Sequence, residues 1–419
     1  MAGRRALADL DATRDWAFEP LTLGPLRLRN RFIKSATNEG MAPGGVPTQA
    51  LVAHHRSMAA GGAAMTTVAY CAVEPDGRTF EDQITLDDDT VKHLRVLTDA
   101  VHAEGGAVSA QLTHGGCFTF LPKLRTRYPL SASGGLNPPG VIAGRMFKTA
   151  MSVADMSRIA DDFVNAAQRA RAAGFDAVEL HMGHGYLLSQ FLSPAYNRRK
   201  DFWGGDAEKR VRFPAQVLRQ VLDAVGDEMA VLCKISVVEG HRRGASLQDV
   251  MTTVKALERT GAHMVVLSGG MNVEAPWQIF GSNMPAEAVT QIQNPVVRIA
   301  SRMMRLWEPK VRFRELYLRS YSHRIRQQVS VPLAYLGGAK SMDGIAQLRE
   351  DGFDAVVMGR ALLHDPNLVD AFGRGEKQES GCTACNACVV TMYSPGGTHC
   401  VLTGAGDPEA NRQPAAATQ

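Results

Sequence analysis

Short apolar runs rich in β-branched residues alternate along this chain with longer segments whose apolar positions recur at helical spacing. The runs predict strands at Phe32–Thr37, Met65–Val73, Ala107–His114, Ala177–Gly183, Ala230–Val237, His263–Ser268, Pro332–Gly337 and Asp354–Gly359. Between them the amphipathic pattern predicts helices at Gln49–Met58, Val91–Glu104, Met156–Ala172, Glu208–Val225, Leu247–Thr260, Glu315–Val329 and Ile345–Glu350. Repeated strand–helix units of this kind wrap around a parallel sheet, and their number predicts an α/β fold, a (β/α)₈ TIM barrel. A short internal repeat agrees: Gly174-Phe175-Asp176-Ala177-Val178 returns as Gly352-Phe353-Asp354-Ala355-Val356, each closing a helix with Gly and opening a buried strand.

Two stretches break the spacing, 117–150 and 269–314, and both follow predicted strands. Loops after barrel strands lie on the face where ligands bind, so these are expected to shape a pocket. The expected organisation is an N-terminal arm over 1–16, the barrel over 17–376, a cysteine-containing extension over 377–404 and a disordered polar tail over 405–419.

Composition narrows the function classes. The 419 residues carry 46 Lys+Arg against 42 Asp+Glu, a net charge of +4, with 45% hydrophobic residues. Disordered, collagenous and mucin-like chains are excluded by these values. The basic surplus is too small and too evenly spread to argue for a nucleic-acid or membrane partner, and the expected partner is a small-molecule substrate. No apolar run is long enough to span a bilayer, and the first ten residues lack the apolar centre of a secretory signal, so the cytoplasm is the expected compartment.

Candidate chemistry gathers at strand ends. Glu179-Leu180-His181-Met182-Gly183-His184-Gly185-Tyr186 brings two imidazoles and a phenol to the end of the fourth strand, a source of hydrogen-bond donors and a transferable proton. Satisfied core histidines are the plainer alternative. A zinc hydrolase would want His-Glu-x-x-His spacing, which is absent. Gln111 lies on the third strand, and Lys234 sits in the apolar fifth strand, where an ammonium requires an opposite charge. That charge is either a neighbouring carboxylate or an anionic ligand atom. Gly337 and Gly338 after the seventh strand, with Gly359 and Arg360 after the eighth, suit a phosphate held by backbone N–H groups and a guanidinium fork.

This combination resembles the old yellow enzyme family of FMN-dependent NAD(P)H:flavin oxidoreductases. The resemblance covers about residues 17–375, and its most specific segment is the HGYLLSQFLSPAYNRRKDFWGG run ending at Gly205. It implies a non-covalent FMN across the barrel mouth, with Asn38, Tyr70, Gln111 and Lys234 at the ring and Gly337, Gly338, Gly359 and Arg360 at the phosphate. It further implies His181 and His184 at a substrate oxygen and Tyr186 as proton donor, with NAD(P)H as reductant. Two positions depart from the family pattern. Asn38 stands where Thr or Cys is usual, and Cys117 stands where many relatives carry Arg, removing one expected pocket cation.

The extension carries Cys382, Cys385 and Cys388, then Cys400. Four thiolates so placed suit a [4Fe–4S] cluster or a zinc ion, with reduced structural cysteines as the alternative. The set resembles the cysteines that follow the barrel in the trimethylamine dehydrogenase and dienoyl-CoA reductase branch. The expected function is reduction of an activated C=C bond by hydride from NAD(P)H. The alternatives are oxidation of an amine C–N bond with electrons leaving through a cluster to a separate partner, and a phosphate-ligand barrel without redox chemistry. A homo-oligomer is also compatible with the sequence.

Overall fold

In the computed structural model, which describes residues 7–285, 298, 299, 302, 308–404 and 406–416, eight parallel strands close into a barrel. They are β1 (Phe32–Lys34), β2 (Met65–Ala72), β3 (Ala107–Thr113), β4 (Ala177–Met182), β5 (Ala230–Ser236), β6 (Met264–Ser268), β7 (Leu333–Tyr335) and β8 (Ala355–Met358). Each falls within its predicted run. Side chains alternate between the barrel interior and the helical layer, so the register sets Gln111 beside Glu179 and, two residues further along β4 on the same face, Lys234 beside His181.

The outer layer includes α1 (Leu7–Phe18), α2 (Gln49–Ala60), α3 (Asp88–Ala103), α4 (Val153–Ala172), α5 (Arg212–Val225), α6 (Leu247–Thr260), α7 (Arg319–Arg326) and α8 (Met342–Glu350). Capping boxes from Asp87, Ser152 and Ser246 start α3, α4 and α6. The repeated pentapeptide has one geometry in both copies. Gly174 and Gly352 take φ of 83° and 82°. Asp176 and Asp354 then each accept the backbone N–H of the neighbouring strand, from Val108 and Leu333, at 2.8 Å.

The floor is closed by an antiparallel hairpin, Leu21–Leu23 with Leu26–Leu28, whose buried leucines pack on Met65, Ala177, Ala230, Met264 and Ala355 at the strand starts. Its turn is tight. Gly24 has φ of 54°, and a Cβ there would lie 2.5 Å from the His263 ring.

Three expectations change, and the N-terminal arm takes a definite form. The N-terminal arm contains α1, anchored by Arg14 Nε on the Phe372 carbonyl at 3.0 Å and by Phe18 packing on Phe32. The segment 315–329 is helical only over α7, because Leu316 adopts φ of 55° and Glu315 instead accepts hydrogen bonds from the backbone of Lys340 and Ser341. The helix predicted at 208–225 breaks at Val211 into Ala207–Arg210 and α5, with Pro214 in the first turn of α5 where its missing N–H costs nothing. The tail expected to be disordered is ordered over 406–416. Gln413 accepts the N–H of Gln49 at the start of α2, and Ala415 is buried and donates to the Pro47 carbonyl. The orphan amides of the α2 N-terminus thereby find a partner that composition could not announce.

The insertion at 117–150 folds into a small sheet of Leu130–Ser131, Gly135–Leu136 and Phe147–Ala150. Of the insertion at 269–314, residues 286–297, 300, 301 and 303–307 lie outside the described residues. Among the described residues no helix is long and apolar enough to cross a membrane.

Candidate active site

A cavity of about 450 Å³ opens at the C-terminal ends of the strands, within the range of small-molecule sites. Its floor is charged. Lys234 Nζ lies 3.6 Å from Glu179 Oε1 and 3.3 Å from Ser35 Oγ, while Gln111 Nε2 donates to the same Glu179 oxygen at 2.6 Å. The ammonium therefore has the carboxylate partner of the ion-pair reading, and it also lines the cavity. Beside it Lys34 Nζ pairs with Glu39 Oε1 at 2.7 Å. A bulge in β2 between Val68 and Cys71 frees the Ala69 amide, which Glu39 Oε2 accepts at 3.2 Å, and Tyr70 reaches the cavity wall from this bulge.

His181, His184 and Tyr186 converge as the strand-end motif predicts. The His181 ring centroid lies 4.9 Å from that of His184 and 4.6 Å from that of Tyr186, both edge-on. His181 Nδ1 accepts the Gly183 N–H at 3.3 Å, which leaves the proton of the neutral ring on Nε2. His184 sits at φ of 60°, a left-handed conformation that is costly for a side chain with a Cβ, and its Nε2 meets Ser268 Oγ at 2.9 Å. Burial, followed by the Lys234 charge, pushes His184 down to about 3; burial and the His184 and Lys234 charges hold His181 well below the usual imidazole range. Both rings are neutral at physiological pH. Burial pushes Tyr186 up to about 12, opposed by the nearby polar groups of Tyr70 and Asn272, so the phenol keeps its proton. Tyr70, Phe118 and Tyr186 form an aromatic wall.

On the opposite rim, Gly338 takes φ of 83°, and a Cβ on it would fall 2.8 Å from the Phe313 ring, so the cradle requires glycine. Gly359 and Arg360 also line the cavity. Gly337 does not: it turns beneath the rim, and its carbonyl accepts the Tyr317 N–H and the Tyr335 hydroxyl. Arg360 Nη2 donates to the Phe280 carbonyl at 2.7 Å and Nη1 to Asn386 Oδ1, with the guanidinium over the Phe313 ring.

The cysteine extension forms part of the wall. Cys382 and Cys388 line the cavity, Cys385 is exposed, and Cys400 Sγ lies 3.5 Å from His364 Nδ1. Burial pushes the Cys388 thiol up to about 11, with the other three sulfurs close enough to add to the shift. Among the described residues, no three of these sulfurs lie within 4.8 Å of one another. Tetrahedral zinc at about 2.3 Å from sulfur would draw them to roughly 3.8 Å apart, so the set is spread more widely than a closed zinc site. Asn38 lines the cavity, its Oδ1 accepting the Gly40 N–H at 3.2 Å and its carbonyl the Thr398 hydroxyl. Cys117 is fully buried away from the cavity, its N–H on Gln190 Oε1.

Sequence reading missed Glu179 as the partner of Lys234 and Gln111, Ser268 as the partner of His184, and Asn272 beside Tyr186. Glu179 and Ser268 had a legible signal, since each points into the barrel from a predicted strand; Asn272 lies on a loop whose course only the fold sets.

The donor set suits a flavin mononucleotide. A buried ammonium and an amide sit at the cavity floor, an aromatic wall stands at one side, and a glycine cradle with a guanidinium fork occupies the rim. Residues 17–379 match the model of the NADH:flavin oxidoreductase / NADH oxidase family. A 4,4'-dithiodibutanoate disulfide reductase of Rhodococcus erythropolis is 38% identical over 92% of this chain and 94% of its own length. An NADH oxidase of Thermoanaerobacter brockii is 29% identical over 87% of this chain but only 52% of its own, so the chain spans about half of that relative. Morphinone reductase in complex with tetrahydroNAD shares the fold, with a TM-score of 0.68 at 22% identity over 88% of this chain and 93% of its own. Histamine dehydrogenase from Rhizobium sp. 4-9 does so at a TM-score of 0.72 and 24% identity, covering 87% and 48%. A flavin-type site at the mouth of such a barrel, with a family match over nearly all of it, makes this chain an oxidoreductase of the NADH:flavin oxidoreductase / NADH oxidase family, to which the old yellow enzymes belong.

Proposed function

We propose that the protein reduces a C=C bond conjugated to a carbonyl, using hydride from NADH or NADPH. A bound FMN would supply the hydride carrier. The observation that carries this reading is the pair of neutral imidazoles, His181 and His184, packed edge to face beside the protonated phenol of Tyr186.

Hydride addition to a C=C bond becomes feasible when a neighbouring oxygen takes up the negative charge. His181 and His184 are placed to donate to that oxygen, an effect worth about 3–4 kcal/mol per donor in preorganised sites. Tyr186 holds a proton for the α-carbon, and the donors Tyr70 and Asn272 stabilise the phenolate left behind. Lys234, Gln111, Asn38 and Tyr70 would hold the ring of the cofactor, and Gly338, Gly359 and Arg360 would hold its phosphate. The purified protein is expected to be yellow, bleached anaerobically by NADH or NADPH and reoxidised by an enone. A colourless protein that does not retain added FMN would refute the reading.

A second reading has its own support: Cys382 and Cys388 stand in the cavity wall, beside the place a flavin would take. There the same barrel would oxidise an amine and pass electrons to a [4Fe–4S] cluster on Cys382, Cys385, Cys388 and Cys400, and from it to a separate partner. Iron content and the paramagnetic spectrum of the reduced protein separate the two. The Rhodococcus relative is named for a disulfide substrate, so an organic disulfide belongs beside the enone among the acceptors tested.

A further inference from the structure

We propose that Asn386, in the middle of the cysteine segment, positions Arg360 for the cofactor phosphate, which makes the extension a working part of the cofactor site. The proposal rests on the flavin reading above. Asn386 is 1% exposed and adopts φ of 61°, a left-handed conformation that asparagine tolerates better than most residues. Its side chain is used at both ends. Oδ1 accepts from Arg360 Nη1, while Nδ2 donates to Ser282 Oγ and to the Asn283 carbonyl, each at 3.0 Å.

Three distant segments meet at this amide: the loop after β6 at Phe280–Asn283, the start of the short helix after β8 at Arg360, and the cysteine run. Arg360 has its Nη2 on the Phe280 carbonyl and its guanidinium face over Phe313, the ring that also packs on the Gly338 cradle. Two of its N–H donors are thus spent on protein acceptors, which fixes the plane of the fork and leaves its remaining donors for an anion. A long arginine side chain has many rotamers, and an arginine already clamped gives up fewer of them when phosphate arrives. A neutral amide is the fitting clamp. A carboxylate at position 386 would also accept from Arg360, but it would offset the guanidinium charge and lose the donation to Ser282 and Asn283.

The test compares FMN with riboflavin, which has the same ring and no phosphate, titrated into flavin-free protein and followed by flavin fluorescence. Asn386→Ala is expected to weaken FMN binding about 10- to 100-fold, the range of a hydrogen bond to a charged group, with riboflavin affinity unchanged. Asn386→Asp keeps an acceptor at the position and is expected to lose FMN affinity in the same selective way. FMN affinity unchanged in both variants, or an equal loss for FMN and riboflavin, would overturn the proposal and leave the flavin reading standing. Wild-type protein that bound neither ligand would remove the flavin reading and this inference with it.

Discussion

Replacing Lys234 with methionine isolates the charge at the cavity floor. Its Nζ lies 3.6 Å from Glu179 Oε1, and the two side chains are 3% and 5% exposed, so both are largely shielded from bulk water. In Lys234→Met, Glu179 keeps the Gln111 amide at 2.6 Å as its remaining partner among the described residues, and a buried carboxylate stripped of its cation costs about 3–5 kcal/mol. Glu179→Gln strands the ammonium against Ser35 Oγ at 3.3 Å and carries a comparable penalty. The double variant removes both charges and is expected to recover much of the loss, because a neutral pair of similar volume carries no unpaired ion. Equilibrium urea unfolding of the four proteins, followed by far-ultraviolet circular dichroism, measures the coupling. A Lys234→Met loss below about 1 kcal/mol, or single losses that add to within about 0.5 kcal/mol, would show that the two groups do not form a paired buried unit.

Tyr186→Phe is expected to slow enone reduction by about 10²-fold or more while leaving flavin reduction by NAD(P)H nearly intact, read by stopped-flow absorbance of each half-reaction; equal losses would contradict its role as proton donor. Gly338→Ala forces a Cβ onto a φ of 83° within 2.8 Å of Phe313, and FMN retention should fall more than riboflavin retention in the same titration. Acid should destabilise the fold. The native pKa values of His184, about 3, and His114, about 4, lie below the unfolded value near 6.5, and burial also lowers His54, His55 and His181. The unfolded chain therefore binds more protons between about pH 6.5 and 4; His184 and His114 each remove about 2 kcal/mol of stability by pH 5, and the other three act in the same direction. Glu239, raised to about 7 by burial, and Glu39, raised likewise, work in the opposite direction but are fewer. A melting temperature that held steady or rose between pH 7 and 5 would contradict this balance.

The barrel was legible because its grammar is local: alternating periodicities mark strands and helices, and the pentapeptide at Gly174 and Gly352 marks the same helix-to-strand corner twice. The His181–Tyr186 motif was legible because neighbours in sequence at a strand end remain neighbours in space. Glu179 was harder to assign, since its partnership with Lys234 and Gln111 depends on the register of three strands. The Asn386–Arg360 contact and the docking of the tail at Pro47–Gln49 join segments whose meeting is set by tertiary packing alone, and neither leaves a periodic trace. Gly337 shows the limit within a motif: two adjacent glycines read alike, yet only the one at positive φ faces the cavity.

The leucine hairpin under the barrel also bears on rate laws. With the lower end stoppered, a hydride donor and an acceptor that both enter at the C-terminal mouth would have to occupy it in turn. Turnover on such a plan alternates like a turnstile, giving parallel lines in double-reciprocal plots and making an excess of either reactant an inhibitor of the other.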